Sequence, residues 1–269
     1  MKMSSEKLVD SGRFFRSPAV WLLVSEAIYF TFSLLLIGNR TFPARDSVFY
    51  LELIQKTSEQ IRSGNGISDF SFSFPVFPLL LAGIVSIGVP ILWACHGFVL
   101  LCGGGFIAVL FRLADVLYKD KVAGACAAFL AATLPFYLKL SAEVLRDIPF
   151  YLCFGAAMLM LVQAWDTMRA RYFVGMAIFA CFALSIRMEG IEFLITWFII
   201  MICGAFKFKE RKAVWVISNL CAMLLFLLLF VGIILSMRLI IGKDVYAAFH
   251  FNQILVILTS FAKNLSRMI

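Results

Sequence analysis

The chain has 269 residues, of which 62% are hydrophobic, and its formal net charge is +8. A soluble domain averages about 45–50% apolar residues and cannot hide so much apolar surface. The basic residues form short clusters between apolar runs rather than one stripe, so nucleic acid is not an expected partner. Such clusters are typical of cytoplasmic loops beside anionic lipid. The composition therefore predicts an all-α integral membrane protein.

The first apolar run covers residues 18–37 and follows a leader that contains four basic residues, Lys2, Lys7, Arg13 and Arg16. About 20 residues are enough to cross roughly 30 Å of hydrocarbon. A signal peptide would have a shorter apolar core, so we expect this span to be retained. The basic leader predicts a cytoplasmic N-terminus over residues 1–17.

An outer loop is expected over residues 38–91, with two interfacial segments. The stretch from Asp46 to Arg62 is amphipathic at helical spacing, with Val48, Leu51, Ile54 and Ile61 on its apolar side. A Gly64-Asn65-Gly66 sequence ends it. The second segment, residues 75–89, has about 14 apolar residues and is too short to span, which favours a re-entrant or interfacial helix.

Six further spans are predicted at residues 92–117, 122–139, 148–166, 172–186, 190–206 and 213–236. This threading puts the basic clusters at 119–121, 169–171 and 207–212 in the cytoplasm, as the positive-inside rule requires. About seven transmembrane helices then make up residues 18–236. Residues 237–269 form an outer tail, which we expect to be the start of a further C-terminal part.

Charged side chains collect in three connectors that this threading places on the outer face. The first contains Arg45, Asp46 and Tyr50, the second contains Glu143, Arg146 and Asp147, and the third contains Arg187 and Glu189. A carboxylate there can take a proton from an attacking hydroxyl or amine. An arginine fork matches phosphate oxygens. The three connectors together predict an active site.

Each connector also has a purely structural interpretation. Asp46 stands where a helix N-cap would be, and the second connector can be a salt-bridged turn with Pro149 in the first turn of the next helix. Arg187 can be a helix-end side chain that reaches the interface. In the same way, Gly103-Gly104-Gly105 predicts close helix packing rather than a phosphate loop. The seven cysteines lie in apolar runs and do not form a zinc or disulfide pattern.

The ordered motifs resemble those of the type C glycosyltransferases, in particular bacterial relatives of the protein O-mannosyltransferases and lipid A aminoarabinose transferases. The resemblance covers residues 18–236 and rests on five short motifs, namely Asp46-Ser-Val-Phe-Tyr50, Pro75-Val-Phe-Pro78-Leu-Leu-Leu81, Lys119-Asp-Lys121, Arg146-Asp147-Ile-Pro149 and Ser185-Ile-Arg187-Met-Glu189-Gly190. Many relatives have Asp-Glu in the first motif, whereas Ser47 follows Asp46 here. Use of a divalent metal ion therefore stays open, and no other cofactor is indicated.

The resemblance implies an inverting glycosyltransferase in the bacterial inner membrane, with a polyprenyl-phosphate sugar as donor and a lipid, glycan or protein as acceptor. Asp46 would be the base, and Asp147 and Arg187 would contact substrate and lipid phosphate, with Arg45, Tyr50, Glu143, Arg146 and Glu189 around them. The alternative is a non-enzymatic polytopic protein, such as a transporter, flippase or truncated inactive homologue. Glu26, Asp115 and Glu192 are the ionisable residues that a transport path would use.

Overall fold

The computed structural model describes residues 17–39, 44–64, 67 and 76–241. Within these ranges the chain is all-α and has no strand, which confirms the predicted fold class. Ten helices follow one another: α1 (Pro18–Asn39), α2 (Arg45–Ser63), α3 (Val76–Ser86), α4 (Ile91–Tyr118), α5 (Lys121–Thr133), α6 (Pro135–Ser141), α7 (Asp147–Thr167), α8 (Ala170–Ile186), α9 (Ile191–Lys207) and α10 (Lys212–Ile241). Single 3-10 turns at Met188–Gly190 and Lys209–Arg211 precede α9 and α10.

Each of the seven predicted spans coincides with a helix or a helix pair. By length and apolar composition, five helices of the described chain can cross a membrane: α1, α4, α7, α9 with its leading turn, and α10. The pair α5–α6 makes a sixth span if it is counted as one. Helix α8 is also apolar but is shorter, with 17 residues. The last helix runs on to Ile241, past the predicted end at residue 236. The tail expected after it, from residue 242, lies outside the described residues.

The predicted span 122–139 is wrong in one respect, because it is not a single straight helix. Its two halves, α5 and α6, meet at an angle of 63°. Leu134 between them is extended (φ −68°, ψ 115°), and Pro135 is the first residue of α6. Proline has no N–H for the helix ladder and disfavours the helical region for the residue before it, so the bend follows from Pro135.

Helices α2 and α3 form a hairpin against the bundle, as the interfacial interpretation predicts. With 11 residues, α3 is only about 16 Å long. Gly64 ends α2 in the left-handed region (φ 69°), and Arg62 donates hydrogen bonds to the C-terminal carbonyls of α3, at 2.5 Å to Val85 and 3.0 Å to Ser86. These bonds satisfy carbonyls that the short helix leaves without partners of its own.

The predicted apolar face of α2 is partly wrong. Ile54 is buried, but Val48 and Ile61 are 38% and 39% exposed. The buried side instead combines Ile54 with the aromatic residue Tyr50. It also contains three small hydroxyl side chains, those of Ser47, Thr57 and Ser58. Because α3 covers this side of the helix, small polar residues are buried where the sequence pattern favours larger apolar ones.

Helix α1 packs on the bundle through a polar seam. Its fully buried residues are Ser25, Tyr29 and Ser33. Leu22, Phe30 and Ile37 pack partly against the core, while other apolar residues such as Leu23 and Leu34 are exposed, as lipid contact permits. Opposite them, a methyl group added to Gly103 would come within 1.7 Å of the Tyr29 hydroxyl, and one on Gly104 within 2.8 Å of the Glu26 carboxylate. Tyr137 donates a hydrogen bond of 2.8 Å to the Gly103 carbonyl. The predicted packing role of this glycine run is confirmed.

A second core joins α7, α8, α9 and α10. Trp215 lies against Gly204, where an added methyl group would meet its indole ring at 2.3 Å. The indole N–H of Trp197 donates to the side-chain oxygen of buried Asn219 at 2.8 Å, so this polar pair is satisfied within the bundle.

The bundle has two chemically different ends. One end, here called the basic end, contains the connectors with Lys119, Lys121, Arg169, Arg171 and the cluster 207–212. The other, here called the Asp46 end, contains the C-terminus of α1, the N-termini of α2 and α4 and the connectors that precede α7 and α9. The helix order thus brings all three predicted site connectors to the same end.

The seam gives a stability prediction. Gly103→Ala should lower the thermal stability of the purified protein, because the new methyl group overlaps the Tyr29 side chain and overpacking costs about 1–3 kcal/mol. Gly232→Ala in α10 is the matched control, since nothing lies within 4 Å of its added carbon. Equal melting temperatures in detergent for the two variants would contradict this account of the seam.

Candidate active site

An ion-pair network at the Asp46 end joins the second and third connectors. The Arg187 guanidinium pairs with the Asp147 carboxylate at the start of α7. It also binds Glu189 with two donors, at 3.1 Å from Nε and 2.6 Å from Nη2. Its planar fork lies over the Phe150 ring, 5.7 Å from the centroid. Arg187 is therefore held in one orientation by groups from two helices.

The backbone explains why Arg187 points in this direction. Helix α8 ends at Ile186, and Arg187 is extended (φ −145°, ψ 143°) before the 3-10 turn Met188–Gly190. The Gly190 N–H donates to the Arg187 carbonyl at 3.1 Å. A methyl group on Gly190 would meet backbone atoms of Leu184 at 2.6 Å, so only glycine lets the turn lie against the helix end.

The second connector is a tight turn between α6 and α7. Glu143 donates its N–H to the Leu140 carbonyl at 3.1 Å, and Leu145 donates to the Glu143 carbonyl at 3.0 Å. The Glu143 side chain is buried, whereas Arg146 and Asp147 are half-buried. Asp147 lies in the first turn of α7, where the helix dipole favours a negative charge, and Pro149 occupies the same turn as predicted.

Tyr50 brings the first connector to this network. Its side chain is 6% exposed and packs edge-on against Phe77 of α3, with 5.5 Å between ring centroids. Burial is the largest influence on this phenol and raises its pKa. The charges that act on it come from all three connectors, and they belong to Arg146, Asp147, Arg187 and Asp46. Charged groups of all three connectors therefore lie within electrostatic range of one phenol.

Asp46 is not the N-cap of α2, contrary to the structural alternative. The helix begins at Arg45 with Ala44 as its N-cap, and Asp46 is the second helical residue. Both Arg45 and Asp46 are exposed. Asp46 and Tyr50 are four residues apart, so they share one side of the helix. The carboxylate is thus accessible to solvent or substrate and lies on the same side of α2 as Tyr50.

A cavity of about 510 Å³ adjoins the second connector at Ala142, Glu143 and Val144. Most of its lining is apolar and comes from α1, α2 and α4, but three polar side chains reach it, which are Ser47, His96 and Glu143. Sequence reasoning missed Ser47 and His96 as site residues. Only their positions in the sequence could have indicated that they belong to the site. Ser47 is next to Asp46, and His96 lies in the second turn of α4, six residues after Pro90.

The acids of the second and third connectors differ in their surroundings. Asp147 and Glu189 both engage Arg187, which already balances part of their charge. Glu143 lines the cavity. Across the described ranges, no three side chains of histidine, cysteine, aspartate or glutamate stand together as a metal-binding group.

Comparison with known proteins agrees with this architecture. The described chain is an apolar helical bundle with five helices long enough to cross a membrane, and its candidate site lies at the end opposite the basic clusters. The sequence matches the model of the dolichyl-phosphate-mannose-protein mannosyltransferase family over residues 73–235, more than half of the chain. The chain belongs to this family, which confirms the type C glycosyltransferase resemblance and places it among membrane glycosyltransferases. A search of curated proteins finds no match.

The ion-pair network gives a second prediction. In a double-mutant cycle of Asp147→Asn and Arg187→Gln, thermal unfolding should reveal a coupling on the order of 1 kcal/mol, because both side chains are mostly shielded from water. The control cycle uses Arg112→Gln and Asp115→Asn at the basic end, a more exposed pair for which roughly 0.3–0.5 kcal/mol is expected. Additive effects at Asp147 and Arg187 would refute the network.

Proposed function

We propose that this membrane glycosyltransferase moves a sugar from a polyprenyl-phosphate donor to an acceptor at the Asp46 end of the bundle. The observation that supports it best is the ion-pair network of Arg187 with Asp147 and Glu189, which lies within electrostatic range of Tyr50, as do Asp46 and Arg146. An accessible carboxylate and two arginines at the same end of the bundle supply a base for the acceptor and positive charge for a leaving phosphate. The basic end would face the cytoplasm and the Asp46 end the opposite side.

Asp46 is assigned as the base. The acceptor oxygen or nitrogen forms a bond to the anomeric carbon while the bond from that carbon to the phosphate oxygen breaks. The proton of the acceptor passes to the Asp46 carboxylate, and the electron pair of the broken bond leaves with the polyprenyl phosphate. Attack opposite the leaving group inverts the anomeric centre.

Arg146 and Arg187 are assigned to the phosphate. Arg187 uses three of its five N–H donors on Asp147 and Glu189, which leaves two toward the substrate side. Its carboxylate partners keep the guanidinium in place, so little reorganisation is needed when charge develops on the phosphate. Tyr50 is a phenol that is neutral at physiological pH, and burial raises its pKa further, so it can donate a hydrogen bond to the same phosphate. Arg45 and Glu189 border this site on its exposed side.

The transport alternative receives less support. Of its three ionisable residues, Asp115 pairs with Arg112 at 2.9 Å near the basic end, and Glu192 is exposed in the first turn of α9. Only Glu26 lies deep within a span, where it contacts the glycine seam. One buried acid does not form a path between the two ends, whereas the charged groups at the Asp46 end form one cluster.

A base at Asp46 gives a third prediction. Asp46→Asn should lower sugar transfer by about 10²–10⁴-fold, because the amide cannot accept the proton, while expression and membrane insertion stay unchanged. Glu52→Gln is the matched control, since it removes an exposed carboxylate from the same helix. Transfer from polyprenyl-phosphate mannose is measured in proteoliposomes. Wild-type turnover by Asp46→Asn would rule out this role.

The phosphate assignment gives a fourth prediction. Arg146→Gln should raise the KM for the donor by about tenfold or more, since a charge-assisted hydrogen bond contributes roughly 1.5–3 kcal/mol. Arg169→Gln removes an exposed arginine at the basic end and should leave the KM as it is. If Arg146→Gln and Arg169→Gln have the same KM for the donor, Arg146 does not bind the phosphate.

A further inference from the structure

A groove of about 740 Å³ lies at the basic end of the bundle, far from the candidate active site. Helix α1 contributes Pro18 and Trp21 to its described lining, and α5 contributes residues between Lys121 and Leu130. Among these residues Lys121 is the one that carries a charge, and the others are apolar. We call this feature the α1–α5 groove.

Small residues of α5 create the space. Ala125 is 9% exposed and forms the floor of the groove, and its neighbour Cys126 is also small. Larger side chains stand at the rim, where Trp21 and Phe129 are each 40% exposed and Leu130 is 67% exposed. Exposed apolar side chains of a membrane protein contact lipid tails. The groove therefore opens sideways toward acyl chains.

The length of the groove corresponds to one leaflet of a bilayer. Lys121 is the first residue of α5 and Leu130 lies nine residues further on, so the described lining extends about 13 Å along the helix. The hydrocarbon of one leaflet is roughly 15 Å deep, half of the bilayer core. A phospholipid of the leaflet at the basic end thus fits with its acyl chain along the apolar walls and its phosphate level with Lys121.

The charge at the head of the groove favours an anionic lipid. Lys121 is exposed there, and Lys119 lies two residues before it in the same connector. Asp120 stands between the two lysines, but its carboxylate serves as the helix cap and accepts a hydrogen bond of 2.9 Å from the Val122 N–H. Basic side chains next to a membrane span attract anionic lipid, whereas a zwitterionic head group offers no net charge to them.

We propose that the α1–α5 groove binds an anionic glycerophospholipid, with its phosphate at Lys121 and one acyl chain against Ala125 and Cys126. This lipid is a structural component and not a substrate, because the groove lies at the opposite end of the bundle from the candidate active site. It covers the groove between α1 and α5 and stabilises the folded chain by binding to it. The inference does not depend on the proposed function.

Titration of the full chain in neutral detergent tests the site, with native mass spectrometry for bound lipid and thermal unfolding for stability. Phosphatidylglycerol and phosphatidylcholine with the same acyl chains are compared. We expect the wild type to bind phosphatidylglycerol at least about fivefold more tightly, with a higher melting temperature. Lys121→Gln should remove this preference. Cys126→Trp should weaken binding of both lipids, because the indole fills the groove from its open side.

Each variant has a matched control outside the described lining of the groove. Lys212→Gln removes an exposed lysine that is also the first residue of its helix, α10. Cys203→Trp places an indole at an exposed cysteine of α9. Both controls should bind the two lipids like the wild type.

Four results would overturn the inference. Equal affinity of the wild type for the two lipids would show that the head-group charge is not recognised. An equal loss in Lys212→Gln would show only general attraction to the basic surface. Unchanged binding by Cys126→Trp would place the lipid elsewhere on the chain. Displacement of phosphatidylglycerol by a lower concentration of polyprenyl phosphate would assign the groove to the donor lipid.

A measurement on the wild type replaces Cys126→Trp if that variant does not fold. Phosphatidylglycerol with a photoreactive acyl chain should cross-link to residues 121–130, and unlabelled phosphatidylglycerol should compete with it. The absence of cross-links in this range would refute the site.

Discussion

The ion pair between Arg187 and Asp147 is the constraint on which the Asp46 end depends. These residues are forty positions apart in sequence, and the pair ties the end of α8 to the start of α7. A guanidinium at a membrane surface is costly unless it is paired or solvated, and here two carboxylates surround it. The pair therefore serves both the packing of the helices and the charge distribution of the site.

Helix α2 contributes to both parts of the Asp46 end. Tyr50 is buried within electrostatic range of Arg146, Asp147 and Arg187, while Ser47 and Leu51 line the apolar cavity together with Glu143. The carboxylate of Asp46 is exposed at the start of the same helix. The family match begins after this helix, at residue 73, and does not cover Asp46.

Packing within the bundle combines large buried side chains, such as Trp197, Trp215 and Phe193, with small and polar contacts. Lipid is as apolar as leucine, so burying leucine between helices gains little in a bilayer. The seam of Tyr29 against Gly103, the Tyr137 hydrogen bond and the pair of Trp197 with Asn219 add specific contacts. Close backbone approach and these two hydrogen bonds give the helices a defined register, which in turn holds the connectors of the site at one end.

The amino-acid sequence by itself determined the class of fold, the positions of the spans and the order of the charged connectors. The reason is that bilayer thickness sets the length of an apolar helix, so hydropathy and basic clusters can be read locally. Pro135 also indicates the bend between α5 and α6, because proline disfavours a helical conformation at the residue before it. Only the tertiary structure decided that Asp147 is a partner of Arg187, which side of α2 is buried, and that Ser47 and His96 face a cavity. Those features depend on contacts between helices distant in sequence, which no local pattern encodes.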